Sequence, residues 1–290
     1  MRVWIEYIGV RLFGGLVAIL PRRVSGAMGA ALGALVYTLG IRRRVTQENL
    51  RAAFPSLPPR AIRQVACATY RHFGRVGVSF AWLPRVSSHA LDRWIFVKDL
   101  QIFDEALRKG KGAIFVSGHL GNWELMGAII AALGYPVTYV VTTQRNKRVE
   151  ALMDRLRESA GAQIVKVREG VRGVLSALKQ NRLVAILIDQ DAHEAGAFVP
   201  FFGHPASTPK GAAIFHLKTG SPLIFARSLR ISRERYVIHL EKLDTTALEP
   251  RDAETITALA TRELEKAIRE NPEQWFWMHR RWKTRPPDCS

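Results

Sequence analysis

From about residue 99 the chain alternates short, almost unbroken apolar runs with longer segments of helical period. This alternation restricts the fold more than any other feature. The runs are 112–117 (GAIFVS), 136–142 (PVTYVVT), 163–167 (QIVKV), 183–189 (LVAILID), 222–229 (PLIFARSL) and 236–242 (YVIHLEK). Helix-period segments lie at 99–109, 122–133, 147–160, 170–180, 208–219 and 252–270. A strand that is apolar on both sides has no face to give to water, so it belongs inside a sheet covered on both faces. The expected class is α/β, with a largely parallel central sheet flanked by helices. In such sheets chemistry gathers where strands end and helices begin.

The N-terminal region has a different texture. Residues 3–20 (VWIEYIGVRLFGGLVAIL) are mostly apolar but carry Glu6 and Arg11. At about 18 residues the stretch is at the short limit for crossing a bilayer, which takes about 20. A second stretch, 24–41 (VSGAMGAALGALVYTLGI), is uncharged and ends at Arg42-Arg43-Arg44. Its Gly29 and Gly33, four residues apart, would let another helix approach closely. Segments 46–53 and 59–82 read as helices leading into the body.

Charge is distributed unevenly. The chain has 43 Lys and Arg against 25 Asp and Glu, and residues 1–98 hold 15 of the basic and 3 of the acidic side chains. Basic residues interleaved with apolar segments of near-membrane length point to an anionic lipid surface. No zinc, RRM or KH pattern accompanies them, so nucleic acid is not the expected partner. We expect residues 1–45 to be a membrane-associated region, one anchoring helix plus one helix packed at the interface, and 46–290 to be the α/β domain. Two distant cysteines, Cys67 and Cys289, fit no metal or disulfide spacing and suggest a reducing, cytosol-facing compartment.

One strand end carries the chemistry. In FVSGHLGNWELMG (115–127), the run ends at Ser117, glycines flank His119, and Asn122 is a good helix N-cap that puts Glu124 in the first turn. A turn folded back here would let Glu124 accept a hydrogen bond from His119, leaving the other ring nitrogen as a base. Ser117 lacks a Gly-x-Ser-x-Gly elbow, so the nucleophile is expected to be the substrate's own hydroxyl. Trp123 occupies the position where a zinc-type H-E-x-x-H helix would need its second histidine, so no metal is expected.

Four blocks then occur in order: SGHLGNWELMG, VREGVRGVLSALKQNRLVAILIDQD, FVPFFGHPASTPKGAAIFHLKTGSPL and PEQWFWMHRRWKTRP. In sequence and spacing they resemble the bacterial lipid A biosynthesis late acyltransferases, within the wider lysophospholipid-type acyltransferases. The likeness covers almost the whole chain. It implies a glycerolipid acyltransferase-like fold, with 46–290 as the acyltransferase domain, and transfer of an acyl chain from an acyl carrier protein or coenzyme A thioester to a lipid hydroxyl. It implies work at the cytoplasmic face of the inner membrane, with no cofactor. The resemblance makes His119 the general base and Glu124 its partner. The family's arginine falls on Arg157, with Arg155 close in register. Arg168 matches a second basic position, and Asp189 and Asp191 match a strand-end Asp-x-Asp.

Two further expectations come from the residues themselves. Ser207 or Thr208 would cap a helix with Pro209 in its first turn and Lys210 beside it, a place for a phosphate. Phe198, Phe201 and Phe202 read as an apolar loop. Trp275, Trp277 and Trp282 among basic residues suit either a membrane interface or a buried edge strand. The competing functions are an acyltransferase for another glycolipid or lysophospholipid, such as a mannosylated phosphatidylinositol, and a lipid hydrolase that uses the same histidine on water. A further alternative is a non-catalytic lipid- or nucleic-acid-binding protein that kept the fold.

Overall fold

A computed structural model describes residues 2–86, 94–167, 170–232 and 235–287. The N-terminal helices are α1 (Arg2–Ile19), α2 (Arg22–Thr38), α3 (Arg43–Ala53) and α4 (Pro59–Ser79), followed by a 3-10 turn at Phe80–Arg85. The sheet then begins with β1 (Ile95–Val97). After it come α5 (Gln101–Leu107), β2 (Ala113–Ser117), α6 (Trp123–Ala132), β3 (Val137–Val141), α7 (Lys147–Ser159) and β4 (Gln163–Lys166). The chain continues through α8 (Gly170–Lys179), β5 (Leu183–Leu187), a hairpin of β6 (Ala197–Phe201) and β7 (His204–Thr208), and α9 (Gly211–Thr219). It closes with β8 (Leu223–Arg230), β9 (Tyr236–Lys242) and α10 (Ala253–Glu270).

Seven strands form one sheet in the order β1-β9-β8-β2-β5-β3-β4, parallel throughout except for the β8–β9 pair. All five residues of β2 are buried. Ile114 and Val116 point into a core shared with Leu178, Val184 and Leu264, whereas Ala113 and Phe115 point into one shared with Phe103, Ile129 and Ile224. That two-sided burial is why the run reads as continuous apolar sequence.

The register of the two central strands sets which side chains meet at their C-terminal ends. Ser117 pairs with Leu187 in the parallel β2–β5 ladder, and the Ile188 N–H donates to the Ser117 carbonyl at 3.0 Å. The residues two places beyond this last pair, His119 and Asp189, therefore leave the sheet side by side.

In the N-terminal region α2 packs closely on α4. A Cβ placed on Gly29 would lie 2.5 Å from the Gly74 carbonyl oxygen, and one on Gly33 would lie 1.9 Å from that of Tyr70. The glycine pair thus serves backbone contact with α4. α1 is held by Asn146, whose side-chain amide donates to the Val3 carbonyl at 3.0 Å and to Glu6 at 2.9 Å, and by Arg148 stacked 3.6 Å from the Trp4 ring centre. Most of its large apolar side chains remain exposed, including Trp4, Ile5, Leu12, Leu16 and Ile19. No single helix among the described residues is long and apolar enough to cross a membrane, and the pair α2–α3 that would suffice together is bent by 92°.

Two expectations are corrected by this fold. The segment read as an apolar loop at 198–202 is the first strand of a hairpin in which Phe201 pairs with His204. Its turn places Phe202 and Gly203 at φ 52° and 78°, the left-handed pair of a tight hairpin turn. Phenylalanine is an unusual residue for that position, which hid the turn. Second, the helix expected from 208 begins at Gly211, with Lys210 at the N-cap position. Thr208 belongs to β7.

Candidate active site

The turn after β2 is built as its residues require. Gly121 has φ +62°, and a Cβ there would lie 1.6 Å from the Ser228 carbonyl oxygen, so glycine is obligatory. Asn122 caps α6 by accepting the Leu125 N–H at 3.1 Å. His72 of α4, fully buried, donates from Nε2 to the Gly121 carbonyl at 2.9 Å and accepts from Arg230 at 3.4 Å. Burial pushes its pKa down to about 3, against the Gly121 hydrogen bond and helped by the nearby Arg230 charge, so it holds the turn as a neutral ring.

His119 does not bond to Glu124. Its Nδ1 lies 2.8 Å from Asp189 Oδ1, and its backbone N–H donates to Asp189 Oδ2 at 2.7 Å. Asp189 is 2% exposed, whereas the imidazole is 21% exposed. An ionised carboxylate can only accept, so Nδ1 carries the proton and Nε2 carries the lone pair. Among the described residues Nε2 has no hydrogen-bond partner. Burial alone would lower the imidazole pKa, but the charge and hydrogen bond of Asp189, joined by the charge of Glu124, outweigh it and leave the pKa raised. Burial opposes ionisation of Asp189 too, yet the His119 charge and the donors around the carboxylate hold its pKa below the usual value.

Glu124 has a different partner. Arg157 of α7 clamps it with both prongs, Nε to Oε2 at 2.8 Å and Nη2 to Oε1 at 2.7 Å. Trp123 adds its indole N–H at 3.1 Å. The expected His119–Glu124 hydrogen bond is therefore replaced by two pairs, His119–Asp189 and Glu124–Arg157. The physical reason is position: a carboxylate in the first turn of α6 projects toward α7, while the β2–β5 register delivers Asp189 to the histidine.

His119, Glu124 and Arg157 border one cavity of about 690 Å³ at the C-terminal ends of the parallel strands, with Asp189 buried behind the histidine. His119, Glu124, Arg157, Gln190 and Asp191 supply its polar wall. Phe115, Met126 and Tyr139 line it on one side of the sheet and Val140, Val174, Ile186 and Phe215 on the other, and Phe80, Met153 and Val171 add to the apolar wall.

The other residues singled out in the sequence are dispersed around these pairs. Asp191 borders the cavity. Its Oδ2 accepts from Thr284 at 2.8 Å, and its backbone N–H donates to His279 Nε2 at 2.9 Å. Arg168 lies outside the described residues. Thr208 is fully buried, its hydroxyl engaged with the Ala206 carbonyl at 2.9 Å and with Arg281, so it neither caps α9 nor borders the cavity. Ser207 likewise turns its hydroxyl to the His193 carbonyl. Lys210 is exposed between Pro209 and Gly211, which do border the cavity.

Of the two readings of the C-terminal tryptophans, the buried one holds for Trp275 and Trp277, and the contributor that sequence reasoning missed is Phe276. Trp275 and Trp277 are 1% and 0% exposed, packed edge to face at 4.5 Å, and so belong to the core. Phe276 lies between them in sequence, and its N–H donates to the His119 carbonyl at 3.1 Å. Alternation in WFW was the available signal.

Similarity to known proteins identifies the family. The family model described as bacterial lipid A biosynthesis acyltransferase matches residues 1–284. The chain belongs to the bacterial lipid A biosynthesis acyltransferase family. It is 26% identical to the lipid A biosynthesis palmitoleoyltransferase of Escherichia coli K12, over 98% of this chain and 93% of that protein. It is 27% identical to the lipid A biosynthesis lauroyltransferase of the same organism, with the same coverage. It is also 28% identical to the phosphatidylinositol mannoside acyltransferase of Mycobacterium tuberculosis H37Rv, over 78% of this chain and 73% of that protein. Membership makes the chain an acyltransferase, in agreement with the family resemblance of its four blocks.

The Glu124–Arg157 pair has a measurable consequence. The two side chains are 5% and 12% exposed, so removing one partner strands a buried charge. Arg157→Met is expected to destabilise the fold by about 3–5 kcal/mol, as for other buried ion pairs broken on one side. Chemical denaturation checks this, and Arg157→Met combined with Glu124→Gln should recover most of the loss.

Proposed function

We propose that this acyltransferase moves an acyl chain from an acyl carrier protein or coenzyme A thioester to a hydroxyl of a lipid A precursor, with His119 as the general base. The observation that carries the reading is the His119 imidazole. It is oriented through Nδ1 by a buried carboxylate and turns an unbonded Nε2 toward a cavity with apolar walls. Nε2 takes the acceptor hydroxyl's proton as that oxygen attacks the thioester carbonyl. The new C–O bond forms, the C–S bond breaks, and the imidazolium returns the proton to the departing thiolate. Asp189 stabilises the imidazolium that exists between those two events. Glu124, fixed by Arg157, adds negative charge on the same side of the cavity, and the apolar walls receive the acyl chain. No acyl-enzyme forms, so the kinetics are of the ternary-complex type.

The exposed apolar surface of α1 supports a peripheral attachment to the cytoplasmic face of the inner membrane, with the helix lying in the interface. Among acceptors, a lipid A precursor is favoured over a mannosylated phosphatidylinositol. The relatives named for lipid A match 98% of the chain, whereas the mannoside enzyme matches 78% at similar identity. Mass spectrometry of membrane lipids after deletion of the gene tests the reading. A glycolipid lacking one acyl chain, restored by the wild-type chain, is the expected result. Unchanged acylation of lipid A with a missing chain on another lipid would select the second acceptor. Release of free fatty acid by the purified protein, with no acylated product when acceptor is supplied, would point to a hydrolase.

The raised His119 pKa has a sign. A base must be neutral, so activity is present above the folded-state pKa and is lost as pH falls through it. The acid limb of kcat/KM is expected to have its midpoint above the ordinary histidine value of about 6.5. A pH–rate profile with the limb below that value would contradict the pairing with Asp189.

A further inference from the structure

Two of the three donors on the Asp189 carboxylate come from His119 itself, one from its ring and one from its backbone. The third is Trp275, whose indole N–H donates to Asp189 Oδ2 at 2.7 Å. We propose that Trp275 is a positioning residue for acyl transfer, its N–H locking the Asp189 carboxylate in the rotation that offers Oδ1 to the His119 ring. The proposal rests on the general-base reading of His119.

A carboxylate turns about its Cβ–Cγ bond, and its oxygens are equivalent until neighbours distinguish them. Here Oδ2 receives the His119 backbone N–H and the indole N–H, both at 2.7 Å, which leaves Oδ1 to the imidazole alone. Because the other two donors belong to the residue being positioned, they fix Asp189 only relative to that residue. Trp275 refers the carboxylate to a separate part of the chain.

That part is itself tied to the catalytic turn. Trp275 bridges Leu120 in antiparallel fashion, the Gly121 N–H donates to the Gln274 carbonyl at 2.8 Å, and the Phe276 N–H donates to the His119 carbonyl at 3.1 Å. The indole is wedged against Trp277 and Phe201, at ring-centre distances of 4.5 and 5.4 Å. The C-terminal segment thus runs as a short strand beside the turn and holds histidine and carboxylate in one frame.

The N–H also shapes the charge. A donor on Oδ2 draws negative charge from Oδ1, so its loss would leave more charge facing the imidazole. The imidazolium would then be favoured and the base protonated over a wider pH range.

The test uses the full-length chain with acyl thioester and acceptor lipid. Trp275→Phe is expected to lower kcat by about 10–100-fold, the span of a lost hydrogen bond to a charged group. KM for both substrates should stay within about twofold, the pattern of an interaction felt in the transition state. The acid limb of kcat/KM should move to higher pH. Asp189→Asn with Trp275→Phe should be no slower than Asp189→Asn alone, because both act through one carboxylate. Since Trp275 is a core residue, thermal melting checks the fold. Site-specific replacement by benzothienylalanine, which keeps the ring shape and puts sulfur in place of N–H, must give the same loss. Wild-type kcat in that isostere, losses that multiply in the double variant, or an effect on KM alone would overturn the proposal. If His119→Ala and Asp189→Asn were themselves fully active, the general-base reading would fall and this role with it. If both are inactive while the isostere is unimpaired, only the role of Trp275 falls.

Discussion

Replacing His119 by alanine is expected to lower turnover by about 10²–10⁴-fold, the usual contribution of a positioned general base. Some stability should be lost as the buried Asp189 loses its ring partner, but the carboxylate keeps the residue-119 backbone N–H and the Trp275 indole N–H, so the fold should persist. The ring is 21% exposed at a cavity wall and spans no layer of the core, and the turn keeps its other ties through His72, Asn122 and the Phe276 N–H. The measurement is steady-state acyl transfer by the purified variant, with thermal melting and vesicle binding as controls. Turnover near that of the wild type would remove the imidazole from the mechanism.

Asp189→Asn should be almost as damaging, for a reason visible in the donor pattern. Two N–H groups converge on Oδ2, so an asparagine must place its amide oxygen there and its NH2 where Oδ1 was. That NH2 can only donate to His119 Nδ1. The ring would then carry its proton on Nε2, toward the cavity, and could not accept one. A wrong tautomer of this kind has cost up to about 10⁴-fold in serine proteases, and about 10²–10⁴-fold is expected here. Activity should not return at high pH, because the defect is one of tautomer and not of protonation. Glu124→Gln offers a contrast, since it leaves the His119–Asp189 bond in place. A larger loss in Glu124→Gln than in Asp189→Asn would show that the histidine's working partner is the glutamate after all.

These expectations turn on a pairing that local sequence could not supply. His119 and Asp189 are 70 residues apart, and nothing near either one names the other. The reading that joined His119 to Glu124 followed the shorter path along the chain. It singled out two residues that both border the cavity, and it misplaced one hydrogen bond. Arg157 was placed at the site by family likeness, while its bidentate hold on Glu124 required α7 to lie across α6. The misread 198–210 stretch failed for a related reason. Thr208 and Pro209 satisfy a helix-start pattern, but ladder pairing with Ala197 and the hold of Arg281 keep Thr208 in a strand.

What the sequence determined by itself was whatever depends on neighbours along the chain. Two-sided apolar runs specified interior strands, Asn122 specified the start of α6, Gly29 and Gly33 specified a close helix contact, and the four ordered blocks specified the family. Tertiary structure alone decided which strand lies beside β2, and therefore which carboxylate meets His119. It also brought the C-terminal tryptophan segment back beside the turn that carries His119. The physical reason is that strand register acts across the sheet at hydrogen-bonding distance, whereas sequence patterns report only whether a side chain is apolar and how often that repeats.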